Sequence, residues 1–261
     1  MTRLAVDIGG TFTDVVLEMA GRHFTTKVLT TPRAPEQGVM AGFDKIRALS
    51  GGDPGDISLV IHGTTLATNA LIERRGAKTA LVVTSGHRDA LEMAHENRFE
   101  QYDISIDRPV PLVPRHLRLP VTERIDRNGN VLVPLDEGSV RALVPVLIEK
   151  EIESVAVGLL HAYANPRHER RIRELLLEAE PSLSVTLGSE VCPEVREYER
   201  LSTACANAYV QPLMSRYLGS LSEALTQAGV RCPFLLMTSG GGLTTLETAT
   251  AFPIRLVESG P

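Results

Sequence analysis

The chain has 261 residues, enough for one large domain or two modest ones, with 43% hydrophobic residues and no tryptophan. Its formal net charge of −5 and the lack of a long basic run argue against nucleic acid as a partner. Cys192, Cys205 and Cys232 are odd in number and lack Cys-x-x-Cys spacing, so they spell neither a zinc site nor a disulfide framework. No apolar run approaches ~18 residues, and the N-terminus has no basic stretch leading into an apolar one, which reads as a soluble cytoplasmic protein without a membrane partner.

The first element is a strand through Leu4–Val6, followed by Asp7-Ile8-Gly9-Gly10-Thr11-Phe12-Thr13-Asp14. Beyond it Val15, Leu17 and Met19 alternate with Val16 and Glu18, the period of a half-buried strand. Arg3 to Thr30 is therefore expected to form an antiparallel β-meander with the Gly9-Gly10 turn at its first corner. Such a turn presents backbone N–H groups to an anion. Glycine can adopt φ > 0 there, and without a Cβ it lets a phosphate approach closely. Thr11 and Thr13 add hydroxyl donors. Asp7 is placed to hold a hydrated Mg2+, an ion that takes a carboxylate or two plus phosphate oxygens and keeps several waters. An ordinary hairpin needs the glycines but has no use for the two bracketing acids.

Val39, Phe43, Ile46 and Leu49 mark a helix that ends at Gly51-Gly52-Asp53-Pro54-Gly55. Leu59–Ile61 is a buried strand running into His62-Gly63-Thr64-Thr65. A helix through Leu66, Ala67, Ala70 and Leu71 follows, then a strand at Thr79–Val83, a parallel α/β unit. His62 falls at the carboxyl end of its strand, where ligands sit in such sheets. Thr64 or Thr65 caps a helix whose N-terminus favours anions. Spacing alone suits a backbone-bonded strand-end histidine equally well. Arg88 and Arg98 flank a polar stretch with His87, Glu92, His95 and Glu96. Either arginine could bind a substrate carboxylate or ring carbonyl through its planar fork, or belong to a surface pair.

Asp107 to Pro120 reads as irregular loop, and Val121 to Val133 as a hairpin turning at Asn128-Gly129. Asp136 caps one helix carrying Val140, Leu143, Val144 and Leu147. Val155–Leu160 is a strand, Pro166 opens a helix with Ile172, Leu175 and Leu176, and Leu183–Leu187 is the next strand. The arginines 167, 170, 171 and 173 alternate with Glu169 and Glu174, a solvated helix face. A long helix starts near Glu194, and Pro212 is expected to kink or break it. Phe234–Met237 is a strand before Gly240-Gly241-Gly242, a loop that either lines a cleft or connects strand to helix. Ile254–Val257 reads as a last strand.

The octet at Asp7–Asp14 resembles the first phosphate motif of the ATPase fold shared by sugar kinases, actin and heat-shock chaperones. It lacks the Gly-Lys-Ser/Thr of a P-loop. Together with His62-Gly63-Thr64-Thr65-Leu66-Ala67-Thr68-Asn69-Ala70-Leu71-Ile72-Glu73-Arg74-Arg75-Gly76, and with Thr84–Asp89 running on to Asn97–Asp103, it is similar to the hydantoinase/5-oxoprolinase family over the whole chain. The resemblance implies an α/β, actin-like (ribonuclease H-like) ATPase lobe over residues 1–190. Residues 191–261 would be a helical linker and the truncated start of a second hydantoinase domain. It implies ATP and Mg2+ as cofactors, with Asp7 as metal holder and Asp7, Gly9, Gly10, Thr11, Phe12, Thr13 and Asp14 as nucleotide-binding residues. His62, Thr64 and Thr65 would be catalytic, and Arg88 and Arg98 substrate-binding. The implied activity is ATP-dependent opening of a cyclic amide. The alternatives are an acetone-carboxylase-like subunit or a non-catalytic lobe needing a partner chain. Neither a second glycine-rich Asp motif nor an adenosine segment follows. The chain is thus expected to be the N-terminal portion of a longer protein, inactive by itself, to need a C-terminal lobe or partner subunit, and to be capable of self-association.

Overall fold

The structure is a computed structural model that describes residues 2–95, 102–103, 105–107 and 109–259. In chain order its elements are β1 (Thr2–Ile8), β2 (Phe12–Met19), β3 (Arg22–Leu29), α1 (Pro35–Ser50), β4 (Ile57–Thr64) and α2 (Leu66–Ile72). Next come β5 (Thr79–Thr84), α3 (Ala90–Met93), β6 (Arg118–Val121), β7 (Arg124–Ile125), β8 (Val131–Val133), α4 (Glu137–Arg141) and α5 (Val144–Glu149). The chain closes with β9 (Ser154–Gly158), α6 (Arg167–Ala179), β10 (Ser184–Leu187), α7 (Gly188–Val191), α8 (Glu197–Gln227), β11 (Phe234–Met237), β12 (Leu243–Thr245) and α9 (Leu246–Ala251). The contacts fall into two compact units: residues up to Arg75 with those from Leu213 onward, and Gly76–Pro212. These units cut across the expected 1–190 and 191–261 blocks because β11 hydrogen-bonds to β4.

The first unit is built on one mixed sheet in the order β12-β11-β4-β1-β2-β3. β1, β2 and β3 form the expected antiparallel meander, while β4 runs parallel to both β1 and β11. Leu4, Val6 and Ile8 alternate onto one face and are buried, with Val15 and Leu17 beside them. Val39, Phe43 and Ile46 of α1 complete this core. Gly42 lets α1 come close, since a Cβ there would lie 2.6 Å from Val15 Cγ2. With side chains alternating along a strand, Asp7 and its ladder partner Asp14 stand on the opposite face.

The second unit carries a parallel sheet in the order β10-β9-β5-β6. β5 and β9 are buried along their whole length, as expected for strands covered on both faces. β7 and β8 form a separate two-stranded hairpin around the Asp126–Asn130 turn.

Five expectations are corrected. Arg118–Val121 is a strand rather than loop; β6 is an edge strand, where Pro120 is tolerated. The single helix after Asp136 is two short ones, because Pro145 restarts the backbone at the head of α5. Of the kink or break expected at Pro212, the break does not occur: α8, 31 residues long, runs on through it. Proline displaces the carbonyls on the preceding turn, and the Tyr209 carbonyl there accepts the Ala77 N–H at 2.8 Å. Ile254–Val257 is no strand; Pro253–Leu256 is a 3₁₀ turn opened by Pro253, so no apolar strand edge exists there. Gly240–Gly242 neither leads into a helix nor needs a cleft to explain it: it is the turn of the β11–β12 hairpin.

Candidate functional site

The corner between β1 and β2 is closed by Gly9 N–H donating to the Phe12 carbonyl at 2.9 Å. Thr30 braces it from β3's end. Its N–H donates to the Thr11 carbonyl and its hydroxyl to the Gly9 carbonyl, each at 2.9 Å. Neither Gly9 nor Gly10 has positive φ, so the glycines serve close approach rather than left-handed backbone. A Cβ on Gly9 would meet the Phe12 carbonyl at 3.3 Å and one on Gly10 the Asn69 amide at 3.5 Å. Among the described residues the N–H groups of Gly10 and Thr11 have no hydrogen-bond acceptor, and both residues are exposed. Thr13, by contrast, is buried, and its hydroxyl is bonded to that of Thr30 at 3.0 Å. It stiffens the turn instead of facing a ligand. Phe12 is exposed, with Lys27 Nζ 5.1 Å from its ring centre.

Asp7 and Asp14 line a cavity of about 390 Å³ together with Gly63, Met237 and Ser259. Asp7 Oδ1 is buried and has no hydrogen-bond partner among the described residues. Gly63 makes room for it, because a Cβ there would sit 2.8 Å from that oxygen. Loss of hydration, and then the nearby Asp14 charge, raise the Asp7 pKa above its ordinary 3.8. Asp14 is held by Lys27 at 3.2 Å. A buried carboxylate oxygen without a partner, beside a second carboxylate, fits a hydrated Mg2+ bound through one or two acids. Gly9 and Gly10 line a different cavity of the same unit, about 520 Å³, with Asn69, Arg33, Arg75 and Tyr217 among its walls. The acid and the glycines are neighbours in sequence but face separate spaces.

His62 is inside β4, 1% exposed. Its Nδ1 is 3.2 Å from the Val6 carbonyl and its Nε2 2.7 Å from the Tyr217 hydroxyl. The carbonyl can only accept, so Nδ1 carries the proton and Nε2 accepts from tyrosine. Burial lowers the His62 pKa to about 4, against the opposing backbone hydrogen bond; the ring is neutral. The same burial pushes the Tyr217 hydroxyl well above 10. Both ring nitrogens are committed, which makes His62 a positioning residue joining β1, β4 and α8. Thr64 is buried, and its hydroxyl accepts the Leu66 N–H at 3.2 Å. Thr65 occupies the N-cap of α2, but its hydroxyl donates to the Ile8 carbonyl at 3.2 Å and accepts from the Asn69 amide at 3.3 Å. These threonines tie the Gly9-Gly10 corner to β4 and α2. With only seven residues, α2 offers no anion site of its own.

Arg88 belongs to the second unit and lines none of the cavities described above. Arg98 lies outside the described residues. Sequence reasoning passed over Tyr217 and Asn69. Asn69 had a signal, standing one helical turn after Thr65; Tyr217, 155 residues from His62, had none.

The family model for the hydantoinase/oxoprolinase N-terminal region matches residues 3–179, and that for hydantoinase/oxoprolinase matches 200–261. The caprolactamase subunit alpha of Pseudomonas jessenii is 36% identical over 99% of this chain and 38% of its own. The crystal structure of that ATP-dependent caprolactamase superposes with a TM-score of 0.90, at 35% identity over 99% of this chain and 38% of that one. A nucleotide-free acetone carboxylase chain matches with a TM-score of 0.89 and 26% identity, covering 99% of this chain and 39% of that one. The 5-oxoprolinase 1 of Arabidopsis thaliana is 31% identical over 99% of this chain and 22% of its own. The chain thus spans well under half the length of these relatives. With family models matched over residues 3–179 and 200–261, it belongs to the hydantoinase/oxoprolinase family.

Proposed function

We propose that this chain supplies the phosphate- and metal-binding part of an ATP-dependent enzyme that opens a cyclic amide. The observation that carries this reading is the buried oxygen of Asp7, which has no hydrogen-bond partner among the described residues; the N–H groups of Gly10 and Thr11, which have no acceptor among those residues, support it from the adjoining turn. The sheet order, an antiparallel meander continued by parallel strands, supports an actin-like, ribonuclease H-like lobe. In that lobe Gly9, Gly10 and Thr11 cradle phosphate oxygens, while Phe12 and Thr13 hold the turn. Asp7, with Asp14 behind it, holds Mg2+. The metal would supply charge neutralisation between phosphate oxygens. His62, Thr64 and Thr65 fix the geometry of the corner, and Arg88 and Arg98 are the candidates for gripping a substrate carboxylate or carbonyl.

An amide oxygen is a poor leaving group. Transfer of the γ-phosphoryl to it forms an O–P bond as the bond to ADP breaks. Water then adds to the carbon, the C–N bond breaks with a proton passing to nitrogen, and an acyl phosphate remains. A second water releases phosphate. Such phosphoryl transfer depends mostly on positioning and charge stabilisation.

The test uses the native polypeptide with whichever subunits co-purify. Ring-dependent release of ADP and of the ring-opened acid, abolished by Asp7→Ala with the fold retained, is the expected result. ADP release unchanged in that variant at saturating Mg-ATP contradicts it. The likeness to an acetone carboxylase chain favours a second reading, ATP-dependent ketone carboxylation. Ketone consumption that requires bicarbonate, with no ring-opened product, would select it.

A further inference from the structure

The second unit holds a cavity of about 540 Å³ that the reading above does not use. It opens beyond the carboxyl ends of β5, β6 and β9: Gly86 and His87 follow β5, Arg124 follows β6, and Leu160 and His161 follow β9. From β5 the chain passes to β6 on one side, and from β9 to β10 on the other. The cavity therefore sits at the switch point of an open parallel sheet, the place where such sheets bind ligands. Its size suits a small molecule. Its walls also concentrate unusual backbone: Ala94 (φ 50°), His161 (φ 56°) and Arg196 (φ 97°) line it. Such conformations cost free energy and cluster at ligand sites.

The charged groups around it are not mutually satisfied. Asp89 is taken by a two-pronged contact from Arg115 at 2.8 Å, and Glu197 stands 3.6 Å from Arg200. Arg124 faces no carboxylate among the described residues; one N–H goes to Nε2 of His87 at 3.0 Å. His87 is kept neutral, since its own burial and then the Arg124 charge lower its pKa. Among the described residues the rest of the Arg124 fork has no further partner, and Arg196 pairs with no carboxylate. Glu199, also in the lining, meets His95 at 3.6 Å through Oε1, while its Oε2 is buried and has no hydrogen-bond partner among the described residues. Met93, Leu160 and Tyr198 add apolar surface.

We propose that this cavity binds a small amphoteric molecule, its carboxylate received by Arg124 and its N–H donor by Glu199, with an apolar body against Met93, Leu160 and Tyr198. A planar guanidinium matches a carboxylate in two-point fashion. An uncommitted carboxylate oxygen calls for an N–H or ammonium partner. The site lies wholly within Gly76–Pro212, so it stands or falls independently of the phosphate corner.

The test is titration of the chain with three probes of matched size: L-phenylalanine, phenethylamine without the carboxylate, and 3-phenylpropionate without the amine. Calorimetry gives affinity, and amide shifts at Gly86 and His161 locate the site. Expected is a Kd for L-phenylalanine of about 1 mM or tighter, with each truncated probe at least ~10-fold weaker. Arg124→Gln should bring L-phenylalanine to the level of phenethylamine, and Glu199→Gln to that of 3-phenylpropionate. If Arg124→Gln does not fold, the Glu199→Gln arm decides. No saturable binding of L-phenylalanine up to about 10 mM, equal affinity for the three probes, or shifts confined to the first unit would each overturn the proposal.

Discussion

Asp7 and Asp14 are directly opposed across the β1–β2 ladder, so two carboxylates share one face of the sheet beside Gly63. Like charges in that position destabilise by about 0.2–1 kcal/mol. Asp7 also has a raised pKa, which means that the folded state holds its proton more tightly than the unfolded one. Its favourable contribution is present at low pH and is lost as pH rises through the folded value. Asp7→Asn is therefore expected to raise Tm at pH 7 by about 2 °C, a gap that closes as the pH falls toward 4. Mg2+ should raise the Tm of the natural protein and leave that of the variant unmoved. Thermal scans over pH, with and without Mg2+, measure both; a lower Tm for the variant at pH 7 would contradict the assignment.

His62 gives the opposite sign. Its folded pKa of about 4 lies below the ordinary 6.5. As pH falls, the unfolded chain takes up the proton first. The stabilisation is complete above 6.5 and is lost on the way down to 4, by ~2 kcal/mol between pH 7 and pH 5. In His62→Asn that slope should flatten. Tyr217→Phe, which strips the partner from Nε2, should cost about 1–3 kcal/mol at pH 7. Hydrogen exchange of the β1 and β4 amides at the two pH values reports both effects locally. An unchanged slope in His62→Asn would show that the histidine does not carry the linkage.

What was legible in the sequence is what rests on local period and turn chemistry. Val15, Leu17 and Met19 alternate, and that alternation with the glycine turn before it placed the meander. Asp136 announced its cap, which it makes to Gly138 N–H at 2.9 Å. Ile254–Val257 misled because three apolar residues around Arg255 are too short a run to fix a strand, so Pro253 decided the outcome. The break expected at Pro212 does not occur, and the contact that takes up the Tyr209 carbonyl beside it, the Ala77 N–H, comes from more than 130 residues earlier in the chain. The same non-locality hid Tyr217 behind His62. It also hid the meeting of Arg124, His161 and Glu199, three ordinary residues brought to one cavity by the order of β5, β6 and β9 and by the start of α8.

Two glycines separate close approach from mere tolerance. A Cβ on Gly76 would lie 2.2 Å from Tyr209 Cδ1 and 2.5 Å from the Tyr209 carbonyl oxygen, which Ala77 must reach. Gly219, exposed inside α8, has open space around it. Gly76→Ala is expected to cost at least about 1–3 kcal/mol through overpacking. Gly219→Ala should stabilise by up to ~1 kcal/mol through helix propensity. Urea unfolding of the two variants gives the signs directly, and equal effects would undo the packing argument for Gly76.

Thr84, the last residue of β5, joins that strand to the cavity wall. Its buried hydroxyl donates to Glu123 Oε1 and accepts the Leu160 N–H at 3.0 Å. Glu123 is buried too, and its second oxygen pairs with His168 Nδ1 at 2.8 Å. One hydroxyl thus anchors the residue just before His161, whose unusual backbone needs support. Thr84→Val keeps the shape but leaves the Leu160 N–H and one oxygen of Glu123 unsatisfied, each worth about 1–3 kcal/mol. Thr84→Ser keeps both hydrogen bonds and should lose much less. Thr84→Val should also speed hydrogen exchange at the Leu160 and His161 amides more than at the centre of β9. Uniform acceleration across the second unit would mean that Thr84 contributes general stability and does not specifically hold the cavity wall.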